Sequence, residues 1–412
     1  MGPIFTSSID PDSIDPALFV NRDKEIVRLK GQIASFIDHN QSVGRTGRFL
    51  IMGERGIGKS ILSHKILNEL KDEVLHLQIR VDGRQAKSTF ELLQLIAEKL
   101  HQDAKQVFTD KTLVGSAELL YRVSRSTTYK VKEVEELQKE VNYKLGTSRT
   151  FLSLIKAEIS LGGKHTQNQS LELEYAPKLT EQLLTRMLQA FFDDLMEAQH
   201  KVLVFIDNLD QVASGQSEKD VERITQFTTT LMGLERLVLV INLRSEFVPR
   251  ELARAWRPIR IKGLESEVLL KILDARLERS LEKDVLQASK LDDIAQELSK
   301  CIDNPWVFLQ WVDYLVNNTE IEPETFGEEL NDWVESKYPR PRWGDIQAVI
   351  QFFLKHEDGT VLIEEWKNAE FSDSVKRQAK LHHLIIPDFI LEPTEFHLNP
   401  ELLFYKHCIE KR

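Results

Sequence analysis

Ile26, Leu29, Ile33 and Ile37 recur at three- and four-residue spacing through DPALFVNRDKEIVRLKGQIASFI, which predicts a turn followed by an amphipathic helix. The period then changes. FLIM is an apolar run of strand length, KSILSHKILNEL returns to helical spacing, EVLHLQIRVD alternates as a strand does, and STFELLQLIAEKL predicts a helix capped by Ser88 or Thr89. The alternation resumes with helix LTEQLLTRMLQAFFDDLMEA, strand KVLVFID, helix SEKDVERITQFTTTLMG and strand RLVLVINL. Both later strands are unbroken apolar runs, as strands buried on both faces of a parallel sheet are. The expected fold class is α/β, a parallel sheet with helices on both faces.

Between about residues 101 and 178 this series is interrupted. TTYKVKEVEELQKEVNYKL predicts a charged helix, and AEISLGGKHTQNQSLELEY predicts a hairpin around a polar, glycine-containing tip. A structureless loop of that length is improbable in a compact domain. The stretch therefore reads as a structured insertion, contacting a partner or forming a variable surface excursion. Downstream, SEVLLKILDARLERSL and PWVFLQWVDYLV predict a helical lid. From Trp343 onward a helix, a turn at Asp358 and Gly359, two short helices and a β-like pair around IIPDFILEPTEFHLN predict a winged-helix-like unit. The expected domains are residues 17–264 for the core with its insertion, 265–335 for the lid and 341–412 for the C-terminal unit.

Composition narrows the class. The chain has 412 residues, 42% apolar and 29% charged, the balance of an ordinary folded protein. No run approaches the ~20 apolar residues that span a bilayer. Cys301 and Cys408 lack metal-ligand spacing, and no signal-like segment opens the chain, so a reducing cytoplasm is the expected compartment and no membrane partner is expected. The net charge of −11 argues against a surface coated with basic groups for nucleic acid.

The chemistry begins where the FLIM strand meets the next helix. Gly53, Glu54, Arg55, Gly56, Ile57, Gly58, Lys59 and Ser60, followed by Ile61, satisfy G-x-x-x-x-G-K-[ST] between a strand and a helix, the context that turns this pattern into a phosphate site. Glycines let backbone N–H groups wrap phosphates, Lys59 neutralises β/γ charge, Ser60 ligates Mg²⁺, and the helix N-terminus adds its positive dipole end. ATP and Mg²⁺ are the expected cofactors of a P-loop NTPase sheet.

A strand ending in Asp207 can aim its carboxylate at the same magnesium from the carboxyl edge of the sheet. The following residue is Asn208, and Asp210 completes the run DNLD. An amide cannot accept a proton from water as a carboxylate does. Two readings stay open: Asp210 or Glu54 supplies the missing carboxylate, or Asn208 only positions water and turnover is slow.

FVNR (Phe19 to Arg22), the glycine loop, IDNLD and VLVINLR together resemble, in that order, the AAA+ and STAND superfamily of P-loop ATPases, especially origin-recognition-like and KAP-like members. The likeness covers about residues 17 to 320. It implies that Phe19 and Val20 line an adenine pocket and that Asn242 or Arg244 is a polar sensor near the γ-phosphate. It also implies that Pro305 in DNPW belongs to a lid motif, although Asp303 stands where the family has glycine. A neighbouring subunit would complete the site with an arginine, for which Arg254 is chosen over Arg250 and Arg257.

In SDSVKRQAKLHHL, Lys376, Arg377 and Lys380 fall near one face of a short helix that could enter a major groove. Against this, residues 341–412 hold nine Lys or Arg and twelve Asp or Glu, a balance of −3. The expected partners are further copies of the chain or another protein, with DNA as a second possibility through those three residues. Four functions compete: a switch ATPase coupling nucleotide state to oligomerisation, in DNA transactions or bacterial defence; a DNA-remodelling ATPase; a scaffold that binds nucleotide without turnover; and a small-molecule kinase.

Overall fold

The computed structural model describes residues 22–39, 46–73, 77–125, 129–130, 135–136, 139, 150–162, 174–175, 179–212, 218–277, 295–296, 298–300, 302–317, 343–356, 359–381, 384–388, 393–399 and 402. Strands β1 (Gly47–Gly53), β2 (Leu77–Asp82), β5 (Val202–Asp207), β6 (Val238–Arg244) and β7 (Arg257–Arg260) form one five-stranded sheet in the order β2-β5-β6-β1-β7. Every pairing in it is parallel. All six residues of β5 are buried, as are the first six of β6, which is why both read as continuous apolar runs rather than alternating ones.

Alternate side chains of these strands enter two different cores. Leu203, Phe205, Val238, Val240, Phe49 and Ile51 join Ile26, Leu29, Ile33 and Ile37 of α1 (Asp23–His39) and Leu62, Ile66 and Leu70 of α2 (Lys59–Glu73). Val204, Ile206, Leu239 and Ile241 face the opposite way. There they meet α3 (Thr89–Val107), capped by Ser88, together with α4 (Lys111–Ser124) and α5 (Thr150–Gly162). The same face packs on α6 (Glu181–Glu197) and α7 (Glu218–Met232). The expected α/β class, with helices on both faces of a parallel sheet, is the observed one.

The hairpin expectation over AEISLGGKHTQNQSLELEY is corrected. Its first six residues lie inside α5, and β4 (Glu174–Tyr175) pairs antiparallel with β3 (Tyr129–Lys130). The alternation was misleading because α5 starts upstream, where Phe151, Leu152 and Ile155 are fully buried. Its first turn is fixed by Asp194 on α6, whose carboxylate accepts from the backbone N–H of Thr150 at 2.8 Å and of Phe151 at 3.2 Å. A buried carboxylate at a helix N-terminus satisfies two orphan donors and meets the positive end of the dipole. The expected charged helix lies largely outside the described residues; within it, 135, 136 and 139 are helical and Tyr129–Lys130 is β3.

Helix α8 (Arg250–Ala255) lies between β6 and β7, and α9 (Ser266–Leu277) and α10 (Pro305–Asn317) follow the last sheet strand. Beyond them come α11 (Trp343–Leu354), β8 (Thr360–Leu362), α12 (Ile363–Asn368), α13 (Asp373–Leu381), β9 (Ile385–Pro387) and β10 (Glu395–Leu398). The three strands form an antiparallel sheet in the order β8-β10-β9, compatible with the winged-helix expectation. Leu269, Leu273, Phe308 and Trp311 from the lid helices and Val349, Phe353, Trp366 and Phe396 from the C-terminal unit belong to one apolar cluster. Among the described residues no helix is long and apolar enough to cross a membrane.

Candidate active site

The loop from Gly53 to Gly58 leaves β1 and turns into α2. Gly56 and Gly58 adopt left-handed φ values of 80° and 95°, a region that costs a side-chain-bearing residue and costs glycine nothing. Gly56 is required twice over, because a Cβ there would lie 2.5 Å from Cβ of Trp306. Lys59 and Ser60 open α2 and are half-buried; Ile61 follows them. The Lys59 ammonium donates to the carbonyls of Gly53 at 3.0 Å and Glu54 at 2.7 Å. Burial lowers its pKa, opposed by the nearby carboxylates of Asp210, Glu246 and Asp207. An incoming polyphosphate would place negative charge beside this ammonium and favour its charged form.

The loop is gripped from both sides. Arg22, buried ahead of α1, donates Nη2 to the carbonyls of Ile57 at 3.0 Å and Lys262 at 2.8 Å. From the lid, Asn304 donates Nδ2 to the Arg55 carbonyl at 2.8 Å, while its Oδ1 accepts from the N–H groups of Trp306 at 3.1 Å and Val307 at 3.4 Å. Asn304 is therefore the N-cap of α10, with Pro305 at the first helical position where its missing N–H is harmless. The Arg55 guanidinium lies 5.3 Å from the centre of the Trp306 ring. We predict that Asn304→Ala loses both the cap and the lid contact, about 1–2 kcal/mol, seen as a lower midpoint in thermal unfolding. An unchanged midpoint would remove Asn304 from this role.

At the carboxyl edge of the sheet, Asp207 is buried and accepts from Asn242 Nδ2 at 3.0 Å and from the Asn208 N–H at 2.9 Å. Both bonds fall on Oδ1, so the second oxygen can face a metal. Asn242 Oδ1 in turn accepts from the Ser63 hydroxyl at 2.9 Å, which ties the N-terminal part of α2 to β6 and β5. No group of three or more His, Cys, Asp or Glu among the described residues could hold a metal alone. A magnesium would be held by Ser60, Asp207 and the phosphates together, in keeping with the few protein ligands this ion takes.

The remaining expected residues divide. Arg244 donates Nε to Asp210 Oδ2 at 2.6 Å, lies 3.4 Å from Glu246 Oε1 and stacks on Phe247 with its guanidinium 4.3 Å from the ring centre. Asp210 and Arg244 are thus joined in a largely buried ion pair, and Asn242 is the β6 residue that touches Asp207. Arg254 is exposed on α8. Arg257 lies in β7, the edge strand beside β1, with its guanidinium 5.3 Å from the Phe36 ring and 5.7 Å from Phe49. Phe19 and Val20 lie outside the described residues. In α13, Lys376 Nζ donates to the Lys367 carbonyl at 2.7 Å, Lys380 Nζ sits 4.7 Å over the Phe396 ring, and Arg377 is exposed.

Sequence reasoning missed Arg22 as a loop clamp, Asn304 and Trp306 as lid contacts, and Asp82. Asp82 ends β2 in register with Asp207 and accepts from Asn208 Nδ2 at 3.4 Å. A carboxylate at a strand end followed by glycine, in VDGR, was the only local signal.

A profile of the family described as AAA ATPase domain matches residues 18–241. Among solved structures, the chain is similar to the ORC2 protein of Aeropyrum pernix in its ADPNP and ADP complexes, at 13% identity over 98% of this chain and 97% of that one, with a TM-score of 0.41. It is similar to a Walker-type ATPase of Pyrococcus abyssi at 14% identity over 95% and 99%, TM-score 0.42. The Cdc6p structure from Pyrobaculum aerophilum aligns at 11% identity over 98% and 99%, TM-score 0.39. No curated protein matches.

Proposed function

Since the chain belongs to the AAA ATPase domain family, whose members bind ATP, we propose that it is a slow switch ATPase that couples its nucleotide state to the lid and to partner engagement. Gly53 to Ile61 would wrap the phosphates of ATP, with Lys59 on the β/γ oxygens and Ser60 and Asp207 on Mg²⁺. The observation that carries the coupling is the bond from Asn304 to the Arg55 carbonyl, with Trp306 against Gly56. A phosphate bound by this loop would lie against backbone that the lid also holds, so its affinity depends on whether the lid is docked. Nucleotide state and lid position are then one equilibrium, and a ligand shifts it only by its differential affinity for the two states.

Slow turnover follows from Asn208, which cannot take a proton from water. Arg254, exposed on α8, is the arginine proposed to act on the nucleotide of a neighbouring copy, where guanidinium stabilises the charge of the transferred phosphoryl group. A protein partner or a homo-oligomer is the favoured assembly. DNA is the weaker partner, because residues 341–412 carry a net charge of −3 and so offer no strong electrostatic footprint for phosphates.

The test is phosphate release measured across a protein concentration series, with the oligomer followed in parallel. Specific activity should climb with concentration and with ATP-dependent assembly, and Arg254→Ala should flatten the climb. Flat specific activity and an unchanged oligomer would sink the switch. The second reading, a scaffold without turnover, also starts from Asn208. It predicts that ATP raises the unfolding temperature by mass action while no phosphate appears at any concentration.

A further inference from the structure

The turn after β2 is packed onto the turn after β5. Asp82 and Asp207 are register partners at the carboxyl ends of these two strands, which lie about 4.8 Å apart as neighbouring strands do. Gly83 approaches the second turn so closely that a Cβ there would meet the Cα of Leu209 at 2.7 Å, its nitrogen at 2.9 Å and the Asp207 carbonyl oxygen at 3.0 Å. Only glycine allows backbone to come this near. On the facing turn Asn208 is left-handed, with φ of 57°. Its Nδ2 donates to Asp82 Oδ1 at 3.4 Å, and its Oδ1 accepts from Gln211 Nε2 at 2.9 Å. The position that lacks a carboxylate therefore carries an amide aimed at a carboxylate one strand away.

That carboxylate is presently occupied. Arg84 donates Nε to Asp82 Oδ1 at 3.0 Å and Oδ2 at 2.9 Å, Nη2 to Oδ2 at 2.6 Å, and its backbone N–H to Oδ1 at 3.1 Å. Burial pushes the Asp82 carboxyl up, but the Arg84 bonds outweigh it and hold the group below its ordinary value. Arg84 itself is exposed, so it can swing into solvent without uncovering any core. Asp210 does not compete for the role, because the Arg244 that holds it at 2.6 Å is itself largely buried and also paired with Glu246, and cannot swing away as Arg84 can.

We propose that Asp82 is the proton acceptor for the attacking water, displaced by one strand from the position that Asn208 holds, and that Arg84 is its gate. This rests on the ATP turnover proposed above. In the step, the water oxygen bonds to the γ-phosphorus, and the bond from that phosphorus to the β,γ-bridging oxygen breaks with its electron pair leaving on ADP. The water proton passes to Asp82, directly or through one further water, and leaves to solvent when phosphate departs. Asn208 orients the water between the two turns. With Arg84 in place the lone pairs of Asp82 are taken and turnover is slow; a partner or substrate that draws Arg84 away would release it.

The test uses the full chain: phosphate release, binding of a fluorescent ADP analogue and the pH profile of kcat for wild type, Arg84→Ala, Asp82→Asn, Asp82→Glu and the Arg84→Ala, Asp82→Asn double variant. Arg84→Ala should raise turnover about tenfold and move the acid limb of the profile to higher pH, because the carboxyl loses the cation that depresses it. Asp82→Asn and the double variant should fall by about 10² or more, the range of a general base, with nucleotide Kd within about twofold. Asp82→Glu should restore part of the rate, which a purely structural role would not do. Turnover by Asp82→Asn or by the double variant at the level of its Asp82 parent overturns the assignment alone. Silence of both wild type and Arg84→Ala, with nucleotide still bound, overturns it together with the turnover reading. A silent wild type beside an active Arg84→Ala supports the gate.

Discussion

Lys59→Ala is expected to weaken nucleotide binding by about 30- to 150-fold and to abolish phosphate release. The ammonium is the one cation at the start of α2 that hydrogen-bonds the loop itself, through Gly53 and Glu54. A charge-assisted bond to a phosphate is worth ~2–3 kcal/mol, which corresponds to that range of Kd. The effect on the ligand-free fold should be small, because burial already disfavours the charged form and alanine removes that penalty along with the two bonds. The separating measurement is thermal unfolding with and without ATP and Mg²⁺. Wild type should gain stability with ligand by mass action, and Lys59→Ala should gain little at the same concentration. An equal gain in both would mean that the nucleotide is held elsewhere.

How much of this was legible in the sequence follows from where the determining contacts come from. The face of α1, the strands β1, β5 and β6 and the loop between β1 and α2 are set by local periodicity and by glycines at required φ values, so the chain announces them. Strand β7 was not read, because RPIR offers two exposed arginines and a proline; it is a strand only by pairing with β1 at an edge, where proline is tolerated. That omission is why Arg257 was weighed as an arginine for a neighbouring subunit's site when its guanidinium lies over Phe36 and Phe49. The second half of helix α5 was read as part of a hairpin because the helix's determinant, Asp194, is 44 residues from Thr150. The site shows the same division. The phosphate loop and Asp207 were singled out from local motifs, while the contacts of Asn304 with Arg55, 249 residues away, and of Asn208 with Asp82, 126 residues away, exist only once the sheet and lid have folded.

Arg244→Met should destabilise the protein by ~3–5 kcal/mol, the cost of stranding buried charges, and lower the unfolding midpoint by about 10 °C. Asn242 or Arg244 of β6 was expected as the γ-phosphate sensor; Asn242 touches Asp207, and the charged contacts of Arg244 are with carboxylates. Arg244 pairs with Asp210 at 2.6 Å and Glu246 at 3.4 Å, both carboxylates being buried. Burial already raises the Glu246 pKa from 4.5, and Arg244 is the first of the groups that hold it down. Methionine removes that restraint and raises it further. A carboxyl whose folded pKa lies above its unfolded value binds its proton more tightly when folded, so its contribution is fully present below about pH 4.5 and is lost as pH rises through the folded value. The deficit of Arg244→Met should therefore be smaller at pH 5 than at pH 8, read from denaturant unfolding at both. Replacing Asp210 and Glu246 by leucine in the same chain should recover most of the loss, since apolar groups of similar volume often match or exceed a buried ionic cluster. Had Arg244 acted only on the γ-phosphate, the single variant would unfold like wild type at both pH values and lose turnover alone. The two roles differ in what the missing guanidinium leaves behind: two uncompensated carboxylates inside the protein in one case, and an unneutralised ligand in the other.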